Sequence, residues 1–282
     1  DAVFSFSRGD GSFDFIFAHT NDVLTTIASD GTDVYVGNFV TGDVTRYDRT
    51  GAFQEFFVSA PGLGTLSGGT GLTNIEFDSL GNLYVNPTGS SSTTVTSERY
   101  NSSGSFTGSF SDSDLQFPDG IDADFNGNVW IVNGSGSGVG NELFKFDSSG
   151  FLLQHYDIDG DISSPSDLAI DESGQRLYLT DEFGGANALV AYDISSGAPT
   201  LIGTIATPGI SGALGLTFDP ISGNLLVADG NGAIEVTTSG SLVRSYTDFQ
   251  LAARDVVAFR DTTAPTVTSI SPADSATLTS GT

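Results

Sequence analysis

The chain has 282 residues, 38% of them apolar, and sets 35 acidic side chains against nine basic ones for a formal net charge of −26. No basic stripe is available to displace counterions from phosphates, which excludes nucleic acid as a partner and disfavours anionic membranes; no apolar run is long enough for membrane insertion. Cysteine is absent, which removes thiolate catalysis, disulfides and cysteine zinc sites together.

The pattern alternates with a period of two, as strands require, and 36 glycines supply tight turns. In chain order, residues 2–17 (AVFSFSRGDGSFDFIF) read as two strands around a small-residue turn. From residue 24 a longer unit begins and recurs five times, anchored on Gly31, Gly81, Gly127, Gly174 and Gly223, at steps of 46 to 50 residues. An apolar strand ending in Asp precedes each glycine (TIASDG, NIEFDSLG, GIDADFNG, DLAIDESG, GLTFDPISG). A second strand follows it (DVYVGN, NLYVNP, NVWIVN, RLYLTD, NLLVAD). Two further strands then flank a turn, as in VTRYDRTGAFQEFF and ELFKFDSSGFLLQHY. Four short strands at this period predict the blades of an all-β propeller.

The ends complete the expected count. Residues 2–17 match the last two strands of a unit and residues 254–260 (RDVVAFR) match a first strand. Five whole blades and one split between the termini predict a six-bladed propeller of four-stranded blades over residues 1–260. After Arg260 the composition turns to Ser, Thr and Pro (DTTAPTVTSISPADSATLTSGT), so residues 261–282 are expected to be a linker or tail. Within it Thr266, Val267, Thr268, Ser269 and Ile270 form a β-branched stretch. That stretch is expected to be a strand that completes its own blade or is donated to a neighbour's sheet edge; a plain linker is the third reading.

The unit of apolar strand, Asp, turn, Gly-Asn and apolar strand, clearest in PDGIDADFNGNVWIVN, resembles NHL-type propellers over about residues 24–260. PDGIDAD is similar to a segment of the gluconolactonase/regucalcin family whose Asp is a metal ligand. That resemblance places Asp119 in the role, while the family's other ligands do not reappear in matching motifs. The DTTAPTV phrase resembles the opening of bacterial immunoglobulin-like adhesin modules.

Candidate sites follow from the repeat. The start of each first strand faces the channel mouth, and there the chain carries Thr26, Asn74, Asp119, Asp167, Gly215 and Asp255. Three carboxylates and an amide of this kind are hard-cation ligands, so the expected cofactor is Ca²⁺ held by oxygen, against the plainer reading of strand-end polar residues facing water. A second candidate is the alternating set Asp157, Asp159 and Asp161, although Ile162 and Leu168 replace the glycine and glutamate of a calcium loop. The histidines, His19 and His155, form no motif with Ser or Glu, and no G-x-S-x-G elbow occurs, so no catalytic residue is expected. Arg8-Gly9-Asp10 occupies a turn that turn chemistry alone explains. The acidic composition and the lack of cysteine and methionine fit a processed, secreted or surface-attached bacterial protein.

The expected function is a non-catalytic extracellular structural or adhesive module, a filament or surface-layer subunit partnered by copies of itself or other surface proteins through the tail. The alternatives are a Ca-dependent gluconolactonase-like hydrolase and a carbohydrate- or small-ligand-binding propeller.

Overall fold

A computed structural model describes residues 2–6, 13–19, 23–59, 71–87, 95–134, 140–171, 173, 175–182, 189–210, 212–229, 232–246 and 255–258. These residues contain five four-stranded antiparallel sheets and one two-stranded sheet. The two-stranded sheet pairs β1 (Ala2–Phe6) with β2 (Phe13–His19). Blade one is β3 (Leu24–Ser29), β4 (Val34–Asn38), β5 (Val44–Tyr47) and β6 (Phe53–Val58). Blade two is β7 (Leu72–Phe77), β8 (Leu83–Pro87), β9 (Ser97–Tyr100) and β10 (Phe106–Phe110). Blade three is β11 (Pro118–Ala123), β12 (Val129–Asn133), β13 (Glu142–Phe146) and β14 (Leu152–Asp157). Blade four is β15 (Pro165–Asp171), β16 (Arg176–Asp181), β17 (Leu189–Asp193) and β18 (Thr200–Ile205). Blade five is β19 (Ala213–Asp219), β20 (Asn224–Asp229), β21 (Gly232–Thr237) and β22 (Leu242–Tyr246).

The second strand of each blade is buried along nearly its whole length, which accounts for runs such as VWIVN and LYVNP. Both faces of that strand are covered because blades pack face to face, and a strand covered on both faces needs continuous apolar character. The core is accordingly divided into layers between neighbours. Tyr35, Val44 and Phe57 of blade one meet Ile75, Leu83 and Tyr100 of blade two. Trp130 and Leu143 of blade three meet Leu177, Leu179 and Tyr192 of blade four. Lys145, the only lysine of the chain, is buried in that region. Its Nζ lies 4.7 Å from the Trp130 ring centroid and donates to Gly197 O at 3.0 Å.

The repeated Asp closes each first turn, as turn chemistry predicts. Asp78 Oδ1 accepts Leu80 N and Asn82 N, and Asp124 Oδ1 accepts Asn126 N and Asn128 N. The other oxygen holds the next layer: Tyr35 Oη on Asp30, Tyr84 Oη on Asp78, Trp130 Nε1 on Asp124. The glycine that follows has a left-handed backbone, with φ of +80° at Gly81 and +76° at Gly127, so the Asp–Gly signature is a backbone requirement.

The blade count differs from expectation: the described residues form a five-bladed propeller, not a six-bladed one. Among the described residues the termini do not assemble a four-stranded sheet. The N-terminal residues give only the β1–β2 hairpin, and Asp255–Ala258 carries no strand assignment. These pieces form a seam instead. Phe6 meets Tyr246 of blade five edge-on, with ring centroids 5.7 Å apart, and Val3 packs on Val34, Val36 and Tyr47 of blade one. The candidate assembly strand at residues 266–270 and the Arg8-Gly9-Asp10 turn lie outside the described residues.

Candidate functional site

The first strands of the blades line the central channel. Their ladders fix which residues are equivalent, because Leu24, Leu72, Pro118, Pro165 and Ala213 each pair with the last residue of the neighbouring strand. The pairing then skips a step in all five, so a bulge is built into every first strand at the channel mouth. By this register Thr26, Asn74, Gly120, Asp167 and Gly215 are equivalent, and Asp119 belongs one position earlier, with Thr25, Thr73 and Ser166.

Each position has a distinct task. In the earlier one, hydroxyls clasp the next blade: Thr25 Oγ1 donates to Leu72 O at 2.8 Å, Thr73 Oγ1 to Pro118 O at 2.7 Å and Ser166 Oγ to Ala213 O at 2.9 Å. In the later one, side-chain oxygens accept the next blade's amide. Asp167 Oδ2 takes Leu216 N at 2.7 Å, Thr26 Oγ1 takes Ile75 N at 2.9 Å, and Asp255 Oδ2 takes Ile27 N at 2.9 Å across the seam. Blade three lacks a side chain at this position, Gly120. Asp122, two residues on, makes the equivalent clasp to Ile170 N at 2.8 Å.

Four of the channel residues singled out by sequence are therefore joined in two pairs, Asn74 with Asp167 and Thr26 with Asp255, and Asp119 stands apart. Asp167 also accepts its own Leu168 N and the Asn74 amide at 2.9 Å; Asp255 also accepts Thr26 Oγ1 and Val256 N. The buried Asn74 Oδ1 has no partner among the described residues. Burial raises the Asp167 carboxyl well above the ordinary range and the nearby Asp255 adds to it, against two backbone N–H groups that lower it. Burial likewise pushes Asp255 up to about 6. Asp119 lies beside Gly134, where an added Cβ would overlap its Oδ2 and come within 3.2 Å of Pro165 O. Burial, then repulsion from Glu182, pushes Asp119 up to about 7.

Glu76, Asp122 and Glu182 were missed in the sequence. Glu76 and Asp122 fall where blades one and four have Ala28 and Ala169, and a carboxylate at that small-residue position was the available signal. Burial raises Glu76 well above the ordinary range, with Asp122, Asp167 and Asp255 adding to the shift.

The loop between β14 and β15 sends its carboxylates to separate partners. Asp157 Oδ1 accepts Asp159 N at 3.0 Å, Asp159 Oδ1 accepts Asn141 N at 2.6 Å, and Asp161 Oδ2 accepts Tyr192 Oη at 3.0 Å. Asp159 and Asp161 line a depression of about 290 Å³ with Ser163 and Asp181. Among the described residues no three acidic or histidine side chains converge to hold a metal ion, so these residues do not by themselves fit a Ca²⁺ cradle. His155 is half-exposed on outer strand β14, with Nδ1 3.5 Å from Glu142 Oε1.

At the end of the channel where the first turns gather lies a chamber of about 710 Å³. Its wall includes Glu76 and Asp122, the rings of Phe77, Phe125 and Phe218, and Val257 and Ala258 of the seam.

No protein-family model matches the chain, and no curated protein does. Solved structures do resemble it. A chain in a nidogen/laminin complex is 16% identical with a TM-score of 0.64, covering 86% of this chain and 88% of its own length. A protein of unknown function from Bacteroides caccae is 15% identical with a TM-score of 0.60, covering 82% and 83%. A gluconolactonase from Xanthomonas campestris is 14% identical with a TM-score of 0.63, covering 83% and 78%. At these identities the likeness establishes a shared β-propeller fold and nothing finer.

Proposed function

We propose that this chain is a non-catalytic extracellular β-propeller that serves as a structural and adhesive assembly module. The observation that carries the reading is the rim. Phe53 and Phe56 of β6, Phe106 of β10, Leu153 of β14, Leu201 and Ile202 of β18, and Leu242 and Val243 of β22 are all exposed. One solvent-facing apolar residue needs no explanation, but the same feature on the outermost strand of every blade supports a surface that meets other protein. An outermost strand also offers an unpaired backbone edge to a partner strand.

The channel favours this reading over hydrolysis. Metal-assisted attack on a lactone needs carboxylates free to hold a cation and activate water. Here Asp167 and Asp255 each spend one oxygen on a backbone N–H of the adjoining blade and the other on the N–H of the residue that follows them. The acidic, cysteine-free composition and the β-branched sequence of residues 266–270 are consistent with assembly outside the cell. The partners on this reading are further copies of the chain or other surface proteins.

Light scattering over a concentration series of the full chain tests it. Self-association that weakens in Phe53→Ser/Phe56→Ser, or on deletion of residues 261–282, supports the reading. A chain that stays monomeric and binds no surface protein, yet hydrolyses lactones in a way abolished by Asp119→Ala, overturns it.

A further inference from the structure

The turn-side chamber has a chemistry that the assembly reading does not use. It is about 710 Å³, within the range of small-molecule sites, and opens to solvent where the first turns gather. Among the described residues five carboxylates line it and no Lys, Arg or His does. Three aromatic rings, Phe77, Phe125 and Phe218, share the wall. Most of the carboxylates are already engaged. Asp30 and Asp78 close their turns and hold tyrosine hydroxyls, and Asp122 clasps Ile170 N. Glu76 differs: the partner found for its carboxyl is the adjacent Phe77 N–H.

We propose that this chamber binds an organic ammonium ion, with its charge at Glu76 and its alkyl or aromatic body against Phe77, Phe125 and Phe218. The sign follows from the lining, since among the described residues an anion would meet five carboxylates and no cationic side chain. A bare metal ion fits poorly: among the described residues no group of three acidic or histidine side chains is placed to hold one, and the rings offer no oxygen ligands. An organic ammonium ion suits both halves of the wall: the ring faces attract it through their quadrupoles, and the carboxylate attracts its charge. It also offsets the repulsion that Asp122, Asp167 and Asp255 exert on an ionised Glu76. The site is independent of the rim, so this inference stands or falls separately from assembly.

Calorimetric titration of the full chain with benzyltrimethylammonium at fixed ionic strength tests it, with benzyl alcohol as the neutral comparator. Saturable binding with a Kd of about 1 mM or tighter is expected for the cation and much weaker binding for the alcohol. Glu76→Gln should weaken cation binding about tenfold and Phe125→Ala about threefold, while Asp193→Asn on an outer turn should change nothing. Phe125 is 52% exposed, so its replacement tests the site even where Glu76→Gln does not fold. The inference is overturned by no saturation at about 20 mM, by equal binding of benzyl alcohol, or by a Phe125→Ala variant that binds as the parent does.

Discussion

Replacing Asp119 by Asn should change how stability depends on pH, and the size and sign of the change follow from its setting. Thr25, Thr73 and Ser166 each donate a hydroxyl hydrogen to the first carbonyl of the next blade. Asp119 is their equivalent beside Pro165 O, and only its protonated form can donate. Its pKa is pushed up from the ordinary 3.8 to about 7, by burial first and by Glu182 second. A carboxyl whose folded pKa lies above its unfolded value stabilises the fold fully below the unfolded pKa. That contribution is lost as pH rises towards the folded pKa. A shift of this size caps the loss at about 4 kcal/mol. Asp119 keeps some contact with channel solvent, which screens its charge, so about 2 kcal/mol is the expected effect. Asn keeps a donor and cannot ionise. Urea unfolding followed through the single tryptophan, Trp130, should give similar stabilities for both proteins at pH 4.5. The Asn variant should be the more stable by about 2 kcal/mol at pH 8. Parallel pH profiles would refute the reasoning. So would a parent that becomes the more stable protein at pH 8 once calcium is added, because that identifies Asp119 as an ion ligand.

Three further outcomes are expected. Gly120→Ala should destabilise the fold by about 3 kcal/mol in thermal or urea unfolding. Its Cβ would overlap Leu168 N and come within 2.7 Å of Asp167 C, both backbone atoms that cannot rotate away. Asp255→Ala removes the acceptor of Ile27 N and Thr26 Oγ1, so about 2–3 kcal/mol should be lost, with faster hydrogen exchange at the Ile27 amide than in blades three and four. Unchanged exchange there would mean that Asp255 does not hold the seam. Because the Asp157, Asp159 and Asp161 carboxylates have separate partners, about 5 mM calcium should leave the melting temperature where chelator leaves it. A rise of several degrees would show that the loop rearranges around the ion.

The blades were legible because two signals coincide in each: an alternating strand, then an Asp that closes a turn on a left-handed glycine. Counting units could not reveal that the described terminal residues give a hairpin and, at Asp255–Ala258, a segment without strand assignment, since strand-like composition does not guarantee a ladder partner. Asp119 illustrates a second limit. It stands one residue after Pro118, whereas Asp167 stands two after Pro165, and since every first strand carries the same bulge that single step gives it a different task. Asn74, Asp167 and Asp255 were found at the channel, but not their tasks: the two carboxylates accept backbone N–H groups of other blades, and the Asn74 amide donates to Asp167.

The burial of Lys145 has a practical consequence. Its ammonium group is held between Trp130 in its own blade and the Gly197 carbonyl in the next, and no other side-chain amine exists in the chain. Acylating or cross-linking reagents that seek lysine therefore find none exposed on the folded propeller. Modification of Lys145 has to wait until blades three and four part, so its rate is a single-site clock for the opening of that interface, readable by mass spectrometry without any engineered label.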